Sequence, residues 1–313
     1  MKQLIDPYNR RIRKLRVSIT DQCNLRCHYC MPLDAEFMDK KSYLAPDEYR
    51  DIVAELIDFG LEEVRLTGGE PLLRQSFSEI VSLISSLPLK KIGLTSNGIF
   101  LDRYVDLLAD HGIINLNISL DSLNETTFKQ ITHGNYLEKI KQNILLAKNK
   151  GFNIKINVVM MKGINDMEIF DFVEYSQNLQ IEVRFLELMR IGYACHEQEE
   201  KFISARHLID KLEQKYQLIP VQTALDSTSF NYRTAEGAKI GFIASESQPF
   251  CGHCSRWRLS ADGILRACLL KTDGLSIRNL DYPQRLEVYQ MLLGMKPYLR
   301  PVEVRHPMHQ IGG

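Results

Sequence analysis

The chain has 313 residues, 44% hydrophobic and 25% charged, an ordinary globular composition with room for one large α/β domain or one domain and an appendage. Lys plus Arg and Asp plus Glu stand at 39 each, so no net field draws it to nucleic acid or anionic membrane, and any anion site must be local. No apolar run approaches a membrane span; the N-terminus lacks a signal-peptide core, and its basic cluster Arg10, Arg11, Arg13, Lys14 and Arg16 runs straight into the first strand rather than forming a transit peptide.

In chain order, a short apolar strand, a polar turn and an amphipathic helix recur without sequence repetition. The predicted strands are Leu15–Thr20, Glu63–Thr67, Lys91–Thr95, Ile114–Leu120, Asn153–Met160 and Glu182–Leu188. Among the helices between them, Asp47–Phe59 gathers Ile52, Val53, Leu56, Ile57 and Phe59 on one side and stops at Gly60. Leu137–Lys150 does the same with Ile140, Ile144, Leu145 and Ala147 before Gly151. Strands alternating with helices predict right-handed crossovers and a parallel sheet. Six such units fall short of a closed barrel, so the expected fold is α/β, an open partial (β/α)6 TIM-like barrel with ligands at the carboxyl ends of its strands. Those ends carry Thr20 and a cysteine loop, Thr67-Gly68-Gly69-Glu70-Pro71, Thr95-Ser96-Asn97-Gly98, Ser119-Leu120-Asp121 and Glu187-Leu188-Met189. After about residue 195 the pattern changes to a helix over Phe202–Tyr216, strand pieces Lys239–Ile243 and Trp257–Leu259, and a helix over Pro283–Leu293. The polar, acidic stretch Gly192–Lys201 is the expected boundary, giving a barrel over 1–195 and a C-terminal α+β extension over 196–313.

Six of the seven cysteines fall into two groups, which fits a reducing cytoplasm. Cys23, Cys27 and Cys30 stand at C-x3-C-x2-C directly after the first strand. Iron–sulfur clusters are held by Cys thiolates, and a cubane normally takes four, so three from one loop leave one iron open for chemistry. Structural zinc spaces its ligands differently, and disulfide pairing leaves a thiol over. Cys251, Cys254 and Cys268 give C-x2-C-x13-C. One reading is a zinc knuckle with His253, though a His between two ligand cysteines is poorly placed to reach the same ion. The other is a second three-cysteine cluster, facing the first across the barrel lumen. Between these ligands Arg256 and Arg258 alternate on a strand, share a face and suit phosphate oxygens, while Trp257 faces the other way into packing. Arg16, Arg65 and Lys155 each interrupt an apolar strand, where a charge points into a cavity or lies on an edge. Cys195 fits neither group.

The first loop, with Tyr29 just ahead of its last cysteine, resembles the radical S-adenosylmethionine (SAM) superfamily. There the open iron chelates SAM, and an electron from the cluster releases a 5′-deoxyadenosyl radical. The glycine motif 67–71, Leu94-Thr95-Ser96-Asn97-Gly98, Asn117-Ile118-Ser119-Leu120-Asp121, Lys162-Gly163-Ile164-Asn165-Asp166, Arg184-Phe185 leading to Met189, Cys254-x-Arg-x-Arg-Leu-Ser and the terminal Ile311-Gly312-Gly313 narrow this. With them nearly the whole chain is similar to the GTP 3′,8-cyclases of molybdenum cofactor biosynthesis.

That resemblance implies SAM and two [4Fe–4S] clusters, the first on Cys23, Cys27 and Cys30, the second on Cys251, Cys254 and Cys268 with its open iron on guanine. It implies SAM contacts from Tyr29, Gly69, Ser119 and Met189. GTP contacts would come from Arg16, Arg65, Thr95, Lys155, Arg256 and Arg258, with Trp257 contributing at most its backbone. Gly312 and Gly313 are expected to thread into the site. The implied reaction removes hydrogen from C3′ of GTP and joins C3′ to C8, giving (8S)-3′,8-cyclo-7,8-dihydroguanosine 5′-triphosphate. It needs an external electron donor and hands its product to a cyclic pyranopterin monophosphate synthase. A monomer or homodimer in the cytoplasm, without nucleic-acid or membrane partners, completes the expectation. The loop after Cys30 and region 190–230 look short for the family. A peptide-modifying radical SAM enzyme is the competing reading, but it has no need of the lumen cations; a non-enzymatic iron–sulfur sensor would not cleave SAM.

Overall fold

A computed structural model of the chain describes residues 3–304 and 306–311. Strands β1 (Lys14–Ser18), β2 (Glu63–Thr67), β3 (Lys91–Ser96), β4 (Asn115–Ser119), β5 (Asn153–Met160) and β6 (Glu182–Glu187) pair parallel in sequence order. Helices α1 (Pro46–Asp58), α2 (Phe77–Ser85), α3 (Val105–Asp110), α4 (Glu125–Thr132), α5 (Leu137–Asn149) and α6 (Ile169–Leu179) make the crossovers. Local chemistry sets their ends. Helix α1 starts on Pro46, whose missing N–H costs nothing there, and the Glu48 carboxylate accepts the Ala45 N–H at 2.7 Å. It stops at Gly60, where φ is +93°.

Alternation along the strands divides the two faces of the sheet. Leu15 and Val17, Val64 and Leu66, Leu116 and Ile118, Ile154, Ile156 and Val158, and Val183 and Phe185 are buried in one apolar core. The intervening positions, Arg16, Arg65, Asn117, Lys155, Asn157 and Arg184, are polar and belong to the opposite face. A parallel strand packed on both faces reads as continuously apolar; here the polar interruptions mark the lumen.

The C-terminal strands do not form a separate layer. They are β7 (Leu218–Val221), β8 (Phe230–Thr234), β9 (Lys239–Ile243), β10 (Arg256–Leu259), β11 (Ile264–Arg266) and β12 (Leu275–Ser276). Strand β9 continues the parallel sheet beyond β6, and β10 continues it on the other side of β1. Among the described residues the result is one 12-stranded sheet, ordered β12-β11-β10-β1-β2-β3-β4-β5-β6-β9-β8-β7. It ends on β12 and β7 without closing, as an open barrel should. Strand β7 escapes sequence reading because residues 219–221 are exposed and include Pro220, a composition only an edge strand tolerates. The helix Tyr282–Met295 is longer than predicted, opened by an Asp281–Gln284 capping box and held to α1 by Arg285 on Glu55 at 2.8 Å. No helix among the described residues is long and apolar enough to cross a membrane.

This topology separates the two cysteine groups. Cys23, Cys27 and Cys30 follow β1 and lie beyond the carboxyl ends of the strands. Cys251 and Cys254 precede β10, which runs parallel to β1, so they lie at the opposite end. Strand β11 is antiparallel to β10, with Arg266 opposite Arg258, and so returns Cys268 toward Cys254.

Candidate active site

The first cysteine loop is built by its neighbours. Arg26 and His28 N–H groups donate to the carbonyls of Thr132 and Ile131, at 2.9 and 3.0 Å, pinning the loop to the end of α4. The Arg26 guanidinium donates to the Cys23 carbonyl at 2.7 Å. From β2, Gly69 N–H donates to Thr20 O at 2.8 Å and Glu70 N–H to Gln22 O at 2.7 Å. A Cβ at Gly69 would lie 2.4 Å from the Gln22 carbonyl oxygen and 2.5 Å from that of Asp21. The glycine is therefore demanded by the cysteine loop itself. Gly69→Ala is expected to push that loop outward and lower iron incorporation at Cys23, Cys27 and Cys30; iron and sulfide counts after reconstitution check it, and parental loading would contradict it.

Both cysteine groups open on one cavity of about 320 Å³, walled by Cys23, Cys27 and Cys30 at one end and Cys251, Cys254 and Cys268 at the other. Tyr29, Gly69, Ser119 and Met189 line it, as do Arg16, Thr95, Arg256 and Arg258. Arg65 and Lys155 belong to the same strand face but are not on its wall. The Arg65 guanidinium lies over Gly93, where a Cβ would come within 2.8 Å of it, and donates to Leu94 O at 3.0 Å. Lys155 pairs with Glu182 at 2.9 Å. The Trp257 side chain is sealed in the core, 6.1 Å from the Tyr289 ring, so only its backbone is available to a ligand. Cys195 is off the wall, its thiol 3.6 Å from the Val304 carbonyl. The short helix Met308–Ile311 sets Met308 and His309 on the wall; Gly312 and Gly313 lie outside the described residues.

Charge is concentrated in the lumen. Burial holds the Arg16 guanidinium well below its ordinary pKa, and the positive charges of Arg258, Arg256 and Arg65 push the same way. Arg65 is lowered to about 10 by burial and then by Arg184. Like charges gathered out of water call for a polyanion among them. The thiols of the first group respond in the opposite sense: burial, joined by Glu70, raises Cys23 to about 11, and burial raises Cys30 to about 12. Cys254 differs. Burial raises it, but Arg256 and Lys296 outweigh that and bring it to about 6.

No three His, Cys, Asp or Glu side chains among the described residues close tightly enough to hold a single metal ion. The thiols of each group nonetheless raise one another's pKa, Cys23 acting on Cys27 and Cys30, and Cys268 and Cys254 on Cys251. Three thiols within electrostatic reach of one another at each end of the cavity are a donor set that fits an iron–sulfur cluster, and His253 is exposed and off the wall. Thr67 Oγ1 and Asn157 Oδ1 have no hydrogen-bond partner among the described residues and belong to wall residues, as a polar ligand requires.

On this wall Asp121 accepts the Tyr29 hydroxyl at 2.7 Å and Val159 N–H at 2.8 Å, and burial raises its carboxyl to about 6. A carboxyl raised on folding contributes stability below its unfolded pKa, near 3.9, which is lost as pH climbs through about 6. Asparagine keeps both hydrogen bonds if the Tyr29 hydroxyl turns from donor to acceptor. In cluster-free protein, Asp121→Asn is therefore expected to gain stability on the parent as pH rises from 4 to 6, by up to roughly 3 kcal/mol, seen as a widening gap in melting temperature that levels off above pH 6. A constant gap across this range would contradict it.

Arg184, Asn117 and Asn157 also line the cavity without a role in the sequence reading. Their signal was present, since each is a polar residue two positions from another in an otherwise apolar strand. Lys296 and His309 carried no comparable signal, because only tertiary packing brings them to the cysteines.

Residues 17–175 match the Radical SAM superfamily, and residues 181–287 match Molybdenum Cofactor Synthesis C. The chain is 64% identical over 312 residues to the GTP 3′,8-cyclase of Synechocystis sp., covering 100% of this chain and 95% of the relative. It is 39% identical over 280 residues to that of Aquifex aeolicus, covering 88% of each. Among solved structures, Streptococcus suis SuiB bound to S-adenosylmethionine shares the fold at a TM-score of 0.68 and 14% identity, over 91% of this chain and 69% of that one.

Proposed function

The chain belongs to the GTP 3′,8-cyclases of the radical SAM superfamily, and from that premise we propose how its cavity joins C3′ of the GTP ribose to C8 of the guanine. Membership brings GTP as substrate, SAM and a [4Fe–4S] cluster as cofactors, and a place in molybdenum cofactor biosynthesis. Cys23, Cys27 and Cys30 would hold that cluster, and Cys251, Cys254 and Cys268 a second one. When bound, the first would supply the electron that cleaves SAM to methionine and a 5′-deoxyadenosyl radical, the hydrogen acceptor.

The protein's own residues do the placing. Tyr29, Gly69, Ser119 and Met189 frame SAM beyond the carboxyl ends of the strands. Arg16, Arg256 and Arg258 hold the triphosphate; Arg65 and Lys155 support from below the wall, Lys155 after release from Glu182. Thr95 and the backbone of Trp257 complete the GTP shell. Fixing base and triphosphate at separate points restrains the ribose between them, and such near-attack restraint is worth about 7–11 kcal/mol of a barrier. Electrons come from an external donor, the product passes to a cyclic pyranopterin monophosphate synthase, and residues 1–195 and 196–313 act as the barrel and its extension.

One observation supports this reading above the rest: two three-cysteine groups at opposite ends of a single cavity whose wall between them is cationic. Anaerobic reconstitution with iron, sulfide, SAM, dithionite and GTP tests it. The expected outcome is 3′,8-cyclo-7,8-dihydro-GTP with matching 5′-deoxyadenosine; 5′-deoxyadenosine without a GTP-derived product would refute it.

A further inference from the structure

Lys296 caps the helix Tyr282–Met295 and is only 3% exposed. Its ammonium donates to Arg256 O at 2.7 Å, to Ala267 O at 2.9 Å and to Cys254 Sγ at 3.4 Å. An ammonium has three protons and no acceptor, so all its donors are committed. None of these partners is a carboxylate, and a buried ammonium is costly without an anion beside it. Ligated to iron, the Cys254 sulfur would supply one as a thiolate. The three contacts join that sulfur, the first residue of the arginine strand and the residue before Cys268.

Arg10 locks the arrangement from behind. It is 5% exposed, bonds Asp6 Oδ2 at 2.6 Å, and donates to the carbonyls of Cys251, Pro297 and Lys296 at 2.7, 2.8 and 3.1 Å. The ammonium is thus held at a fixed place against the sulfur from two sides.

We propose that Lys296 is a positioning residue whose fixed charge and N–H···S bond raise the reduction potential of the cluster on Cys251, Cys254 and Cys268. A positive charge beside a ligand sulfur favours the reduced, more negative cluster, and hydrogen bonds to sulfur act in the same direction. The inference rests on the reading of those cysteines as cluster ligands.

The test is an EPR-monitored redox titration of reconstituted holoenzyme, with the first cluster as internal reference. Lys296→Gln keeps two N–H donors and removes the charge; Lys296→Met removes both. The second cluster's midpoint is expected to move negative in both variants, further in the Met variant, while the first cluster's stays. An unmoved midpoint, equal movement of both clusters, or movement in Lys296→Met alone overturns the role of the charge. Loss of iron from the second site in both variants overturns it too, showing a residue that retains the cluster without tuning it. Parent protein carrying iron for one cluster only would sink the cluster reading beneath it, a result distinct from an unmoved midpoint.

Discussion

Arg16→Met is expected to lower kcat/KM for GTP at least about a hundredfold, roughly 2.8 kcal/mol, while raising the melting temperature of the GTP-free protein. The two effects share one cause. Arg16 stands in the lumen with Arg258 opposite it on β10 and Arg65 opposite it on β2, and burial together with these charges opposes its own. Without a polyanion it is a liability, and an apolar chain of similar length removes that liability. The gain is on the order of 1 kcal/mol, or about 2 °C in a chain of this size. With GTP bound, the same guanidinium gains a charge-assisted partner, and truncation forfeits it. GTP should therefore raise the parent's melting temperature far more than the variant's, since only the state that binds is stabilised. A variant that loses both activity and stability would place Arg16 in the fold alone.

Cys27→Ala is expected to reduce dithionite-driven SAM cleavage to background while the protein stays folded. Cys27 packs at the rim of the apolar core, and the backbone bonds from Arg26, His28 and Cys30 that shape its loop do not use its sulfur. Its pKa is raised by burial first, then by Asp121, Cys30 and Cys23, so the metal-free thiol is protonated at neutral pH and must lose that proton to bind iron. Cys254→Ala provides the contrast. Uncoupled SAM cleavage survives it and GTP conversion does not, because the first loop stands at the other end of the cavity. Release of 5′-deoxyadenosine with far-UV circular dichroism separates the two variants; parental SAM cleavage by Cys27→Ala would contradict the role of the loop.

The sheet core was legible in the sequence because each of its strands carries a period of two with a polar break facing the lumen. Glu63–Thr67 and Asn153–Met160 match their predicted limits, and the charge of Arg16 in an apolar run fits the lumen place that the family resemblance implies for it. The C-terminal extension was less legible. No local pattern says that β10 pairs with β1 or β9 with β6, because such pairings are decided by packing between distant segments. Gly69 shows a finer gap: its motif announces a glycine, but the reason, two carbonyls of the cysteine loop within 2.5 Å of where a Cβ would stand, exists only once β1 and β2 are side by side. Lys296 is the extreme case, an ordinary lysine at a helix end until the fold sets it against Cys254.

The most direct test of two facing clusters uses protein with Cys23, Cys27 and Cys30 all replaced by alanine, reduced and followed by EPR as GTP is added. A remaining cluster whose spectrum changes with GTP, and not with ATP, is the predicted result, since the open iron on the far cysteine group would take the guanine. A spectrum indifferent to GTP, or no cluster at all, would contradict it.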